Sequence, residues 1–143
     1  MGVDRNRAKE VFEQAGSSAE TSYNLGLVAI QEGMYGEALE KMGDNETFNV
    51  ALAKVLNDEA GAATAVIDAS AEADAAYSDY LKAIIGARED KIEECAKHLK
   101  NAIDKDASYK AKAAKDAEFI KFRGIAAFDL SLIHISEPTR QKP

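Results

Sequence analysis

Apolar residues recur with a helical period along almost the whole chain, in segments too short to stand alone. The clearest is DKIEECAKHLKNAID. There Ile92, Cys95, Ala96, Leu99, Ala102 and Ile103 form one continuous stripe, and Glu93, Glu94, Lys97 and Lys100 occupy the other side. No sustained strand-like alternation occurs before Leu130. Turn signals cut the pattern at Gly16-Ser17-Ser18, Gly33, Gly43-Asp44-Asn45, Asn57-Asp58-Glu59, Asp68-Ala69-Ser70, Arg88-Glu89-Asp90 and Asp104-Lys105-Asp106. The spacing predicts eight helices, over 4–15, 18–32, 35–43, 46–56, 60–68, 72–87, 90–104 and 107–122, with Ser18 placed to cap the second. A helix of two or three turns is marginal in water, so each must draw stability from its neighbours. Connections this short fold consecutive helices into antiparallel hairpins. The expectation is an all-α stack with the logic of a helical repeat.

Composition narrows the function classes. The chain of 143 residues is 46% hydrophobic and 30% charged, the balance of a globular domain. Alanine is abundant, tryptophan is absent, and both prolines lie in the last 14 residues, which favours close-packed helices. The net charge of −7 repels phosphate backbones and argues against a nucleic-acid partner. A single cysteine forms no internal disulfide. No apolar run is long enough to span a membrane. The opening MGVDRNRAKEVFEQ is charged throughout and does not read as a signal peptide.

The stretch YNLGLVAIQEGMYGEALEKM, Tyr23 to Met42, resembles a tetratricopeptide repeat. The family pattern is a leucine-glycine pair in the first helix, a glycine at the turn and aromatic-x-x-alanine in the second. Here these are Leu25-Gly26, Gly33, Tyr35 and Ala38, with Met42 at the bulky position four residues on; Ser22 stands where tryptophan is usual. Gly26 and Ala38 are small where two helices cross, and Gly33 permits a tight turn. Ala8, Phe12 and Ala15 match the second helix of a preceding repeat, so the chain reads as starting in mid-repeat. FNVALAKVLNDEAGAATAVID, Phe48 to Asp68, echoes the first copy 25 residues later, with Ala63 parallel to Ala38. That is short of the usual period of about 34. The third copy is read from Tyr77 to Asp106, without a turn glycine and with Cys95 near the small crossing position. Helix 107–122 is then a capping helix with its lysines facing water. Tyr80–Arg88 and Lys110–Phe122 are similar to phrases in tetratricopeptide-like proteins of Bacteroidetes-type bacteria. That resemblance implies a cell-envelope or periplasmic setting.

What the resemblance implies is an alpha-alpha superhelix over residues 1–129 that acts as a protein–protein interaction scaffold. The first helix of each hairpin lines its concave face. Tyr23, Asn24, Leu27 and Gln31 face a peptide or protein partner from one copy, with Leu52 and Lys82 from the others; the competing reading makes Tyr23 and Leu27 core residues. Asn24 and Asn49 stand where some members clamp a peptide's terminal carboxylate, but of the matching lysines only Lys54 is available. The alternative is a structural spacer within a larger cell-envelope protein. Val11 and Phe12 then belong to a cut repeat face open to self-association.

No residues point to catalysis, a cofactor or a metal. Cys95 sits on an apolar stripe and reads as a structural thiol. His98 lies on the polar flank, and with His134 it lacks the further ligands a metal needs. Glu89-Asp90 and Glu93-Glu94 fall at turns and helix starts, where carboxylates suit the helix dipole. The expectation is a binding protein without enzymatic activity. The last segment, LSLIHISEPTR from Leu130 to Arg140, resembles the in-frame translation of a sequencing-library adapter. Residues 130–143 are therefore expected to be a non-native tail without function.

Overall fold

The computed structural model describes residues 19–126, 128 and 129. The expected helix 4–15, its residues Ala8, Val11, Phe12 and Ala15, the Ser18 cap and the tail 130–143 lie outside them. The described residues form seven α-helices and one 3₁₀ helix, with no strand, so the chain is all-α. In order they are α1 (Ala19–Gln31), α2 (Tyr35–Met42), α3 (Phe48–Leu56), α4 (Ala60–Ala69), α5 (Ala76–Arg88), α6 (Ile92–Lys105), α7 (Ser108–Lys115) and the 3₁₀ helix Ala117–Phe122. The chain divides into two compact units, Met1–Val66 and Ile67–Pro143.

In the first unit α1 and α2 pack as a hairpin, and α3 packs on α2. Their core is Ala29, Ala38, Met42, Val50 and Ala53, with Tyr23, Leu27, Ile30, Leu39 and Val66 packed against it. Gly26 allows the close crossing. A Cβ there would collide with Met42 Cγ and lie 3.0 Å from the Ala38 carbonyl oxygen. Thr47 caps α3, its hydroxyl accepting the Val50 N–H at 3.3 Å.

In the second unit α5 and α6 form the hairpin, α7 follows on α6, and the 3₁₀ helix packs on α5. Tyr80, Ala83, Ala87, Cys95, Leu99, Ala102, Ile103, Ala113, Phe119, Phe122 and Phe128 make the core. Tyr80 stacks on Tyr109 at 4.9 Å between ring centroids and meets Phe119 edge-on at 5.7 Å, and Phe119 continues to Phe128 at 5.5 Å. The expected helix 107–122 is two pieces. Asp116 is extended (φ −78°, ψ 126°), and its carboxylate accepts the Glu118 N–H at 3.0 Å and the Tyr80 hydroxyl at 2.5 Å. An aspartate with these partners competes with the helical ladder, ends α7 and starts the next helix. The lysines of this segment, Lys110, Lys112, Lys115 and Lys121, are exposed. Arg88 then fastens α5 to the 3₁₀ helix with two bonds to Glu118, at 3.0 and 2.7 Å. Likewise the expected start at 72 moves to Ala76. Ser70 and Ser78 are buried, and their hydroxyls donate to the carbonyls of Ile67 and Glu72, holding 70–75 as turns.

One turn is built three times. Gly33, Asp58 and Asp90 have φ of 78°, 63° and 60°. Each ends a helix by donating its N–H three residues back, to Ile30, Val55 and Ala87. The next residue, Met34, Glu59 or Lys91, donates five back, to Ala29, Lys54 and Gly86. This pair of bonds around a left-handed residue is a Schellman C-cap. It joins α1 to α2, α3 to α4 and α5 to α6.

Candidate functional site

Counting from the left-handed residue places the three turns in one register. Ten residues before it stand Tyr23, Phe48 and Tyr80, all aromatic. Seven before stand Gly26, Ala51 and Ala83, all small. Five after stand Ala38, Ala63 and Cys95, small and fully buried. Nine after stand Met42, Ile67 and Leu99, bulky and buried. The third copy therefore begins on Tyr80 where the sequence reading began it on Tyr77. Tyr77 is 40% exposed and Tyr80 only 5%. The offset from the first copy is 57 residues from Gly33 to Asp90, and a missing turn glycine concealed it.

The expected binding residues divide under this register. Leu27 and Leu52 are equivalent, six residues before their turns, and both are half-buried. Tyr23 and Leu27 pack against the core of the first unit, so part of each side chain is structural. Asn24 is half-buried beside them, and Gln31 is exposed at the end of α1. Lys82 is equivalent to the buried Leu25 and not to Leu27. It lies in the second unit, where its ammonium pairs with Asp68 at 2.6 Å.

The structure adds three residues to Tyr23 that sequence reasoning did not assemble. Glu20, Tyr23, Asn45 and Thr47 line an open depression of about 310 Å³ in the first unit. The Tyr23 hydroxyl lies 2.7 Å from Thr47 Oγ1, tying α1 to the cap of α3. Asn45 donates its side-chain amide to the Met42 carbonyl at the end of α2. The readable signal was Thr47 directly before the apolar run at Phe48, an N-cap in the place where α3 begins.

Cys95 is fully buried, and burial pushes its thiol up to about 12. A thiol so far from ionising is a core group and no nucleophile at neutral pH. His98 Nε2 lies 3.5 Å from Glu94, and the ring is held below its ordinary pKa, first by burial and then by Lys82 and Lys97. Among the described residues no group of three His, Cys, Asp or Glu side chains is arranged to hold a metal ion. Among them, too, no helix is long and apolar enough to cross a membrane.

Comparison with protein-family models, with curated proteins and with solved structures finds no match to the chain.

Proposed function

We propose that this chain is a tetratricopeptide-like interaction module, an alpha-alpha superhelix that holds a peptide or protein partner on the face presented by α1 and α3 and carries no catalytic chemistry. The observation that supports it is the triplicated turn with its register of aromatic, small, small and bulky residues. A helical hairpin repeated with one turn geometry buries its neighbour's apolar face. The half-buried side chains of the first helices are then left for a ligand. Tyr23, Asn24, Leu27 and Gln31 supply that surface on α1, and Leu52 supplies its equivalent on α3. Lys82, neutralised by Asp68 at 2.6 Å and out of register with these, is left out of that surface. The tail 130–143, adapter-like over 130–140, plays no part in binding.

The test is selection of peptides from a random display library against the full chain, followed by amide-shift mapping of the selected peptides. The reading expects shifts concentrated at Tyr23, Asn24, Leu27, Gln31 and Leu52. A library that yields no binder, or binders whose shifts fall only on the helix faces opposite these residues, overturns it.

A further inference from the structure

The chemistry of the depression beside Tyr23 points to a particular kind of partner. Among the described residues its lining holds a carboxylate (Glu20), an aromatic ring (Tyr23) and two oxygen-bearing side chains (Asn45 and Thr47), and no basic group. The ring is fixed in place because its hydroxyl is tied to Thr47 at 2.7 Å. Asn45 commits its amide nitrogen to the Met42 carbonyl, so its amide oxygen is the end left to accept. An anchored ring face, a carboxylate and oxygen acceptors together match a cation carried on an apolar stem.

The surrounding charge favours the same occupant. Residues 19–66 contain eight carboxylates against two lysines and no arginine, a formal charge of −6. Residues 67–129 contain thirteen against eleven, so the imbalance belongs to the first unit. A field of one sign around a concave surface raises the local concentration of the opposite charge. Arginine fits better than lysine, because its planar guanidinium lies on an aromatic face while its edge meets a carboxylate.

We propose that the first unit recognises basic peptides by taking an arginine side chain into the depression formed by Glu20, Tyr23, Asn45 and Thr47. This rests on the peptide-binding reading above and specifies the chemistry of the ligand. The test uses three capped hexapeptides that are identical except for arginine, lysine or citrulline at the central position. Each is titrated into the full chain at low ionic strength and followed by amide shifts. Citrulline keeps the shape of arginine and removes its charge. The expected order of affinity is arginine, lysine, citrulline, with shifts at Glu20, Tyr23, Asn45 and Thr47. Glu20→Gln weakens the arginine peptide by about threefold, the scale of one exposed ion pair. Glu40→Gln, an exposed carboxylate that does not line the depression, leaves affinity unchanged. Equal affinity for arginine and citrulline, or equal loss from Glu20→Gln and Glu40→Gln, overturns the inference. If library-selected peptides of other chemistry still bind across α1 and α3, the interaction module stands and only the arginine site falls. If no peptide binds at all, both fall.

Discussion

Gly86→Ala tests how tightly the second hairpin is closed. A Cβ at Gly86 would lie 2.8 Å from the Cys95 nitrogen, 3.1 Å from its Cα and 3.3 Å from its Cβ, where ordinary contact begins at 3.4 Å. The two nearest atoms are backbone, so no rotamer change relieves them. Helix α6 must move away from α5 by roughly 0.6 Å, and the interior beneath it is close-packed. Overpacking of this kind costs up to about 3 kcal/mol, while alanine returns about 1 kcal/mol of helix propensity over glycine. The net expectation is a loss of about 2 kcal/mol, or about 1–2 M in the urea midpoint for a slope of about 1–2 kcal/mol/M. Circular dichroism at a helical wavelength follows the transition. Cys95→Ala in the same background rescues nothing, because it removes neither clashing backbone atom. Gly36→Ala is the internal control. It lies in the first turn of α2, where a Cβ meets only Asn57 Oδ1 at 3.9 Å, so it gains about 0.5–1 kcal/mol from propensity alone. If Gly86→Ala matched Gly36→Ala in sign, the close crossing of α5 and α6 would be refuted.

Three further outcomes follow from single residues. Cys95 in the folded chain resists alkylation at pH 8 and is labelled fully once urea unfolds it, since its thiol is buried and raised to about 12; rapid native labelling would contradict this. His98 has a lowered folded pKa, so below its ordinary value of 6.5 the unfolded chain binds more protons. Its contribution to stability is complete above about pH 6.5 and declines as the pH falls toward the lower folded value, and His98→Gln flattens that part of a urea-midpoint profile. Asp90→Gly removes a left-handed aspartate (φ 60°) and also its ion pair with Lys121 at 2.6 Å. The conformational relief of about 1 kcal/mol exceeds a pair this exposed, so the thermal midpoint rises by a few degrees.

The helical period carried the element pattern, because a stripe such as Ile92 to Ile103 must turn its apolar side inward whatever its neighbours are, and Cys95, Leu99, Ala102 and Ile103 are buried. Turn positions were legible for the same reason: Gly33, Asp58 and Asp90 all fell within stretches read as breaks. Element edges were harder wherever a polar side chain captured backbone groups. Asp116 split one expected helix and Ser70 with Ser78 shortened another, and in both places the deciding bonds come from residues distant in sequence or buried on folding. The candidate site was legible in part. Tyr23 was found from its motif, but Glu20, Asn45 and Thr47 come from two segments that only the hairpin brings together.

The third copy shows why a motif can vanish while its geometry persists. A left-handed C-cap needs a residue that tolerates positive φ, and glycine is only the least strained choice. Aspartate tolerates it better than most side chains do, and here it serves twice, at Asp58 and Asp90. A reading anchored on glycine therefore loses the copy, and the nearest aromatic, Tyr77, becomes a false start three residues early. The correct anchor is the hydrogen-bond pair, which fixes the distance from the turn back to Tyr80 and forward to Cys95. Cysteine then occupies the place of Ala38 and Ala63 for a steric reason. The position lies against the opposing helix, Gly86 in this hairpin, so it takes a small apolar group and gives a thiol no role beyond filling the space.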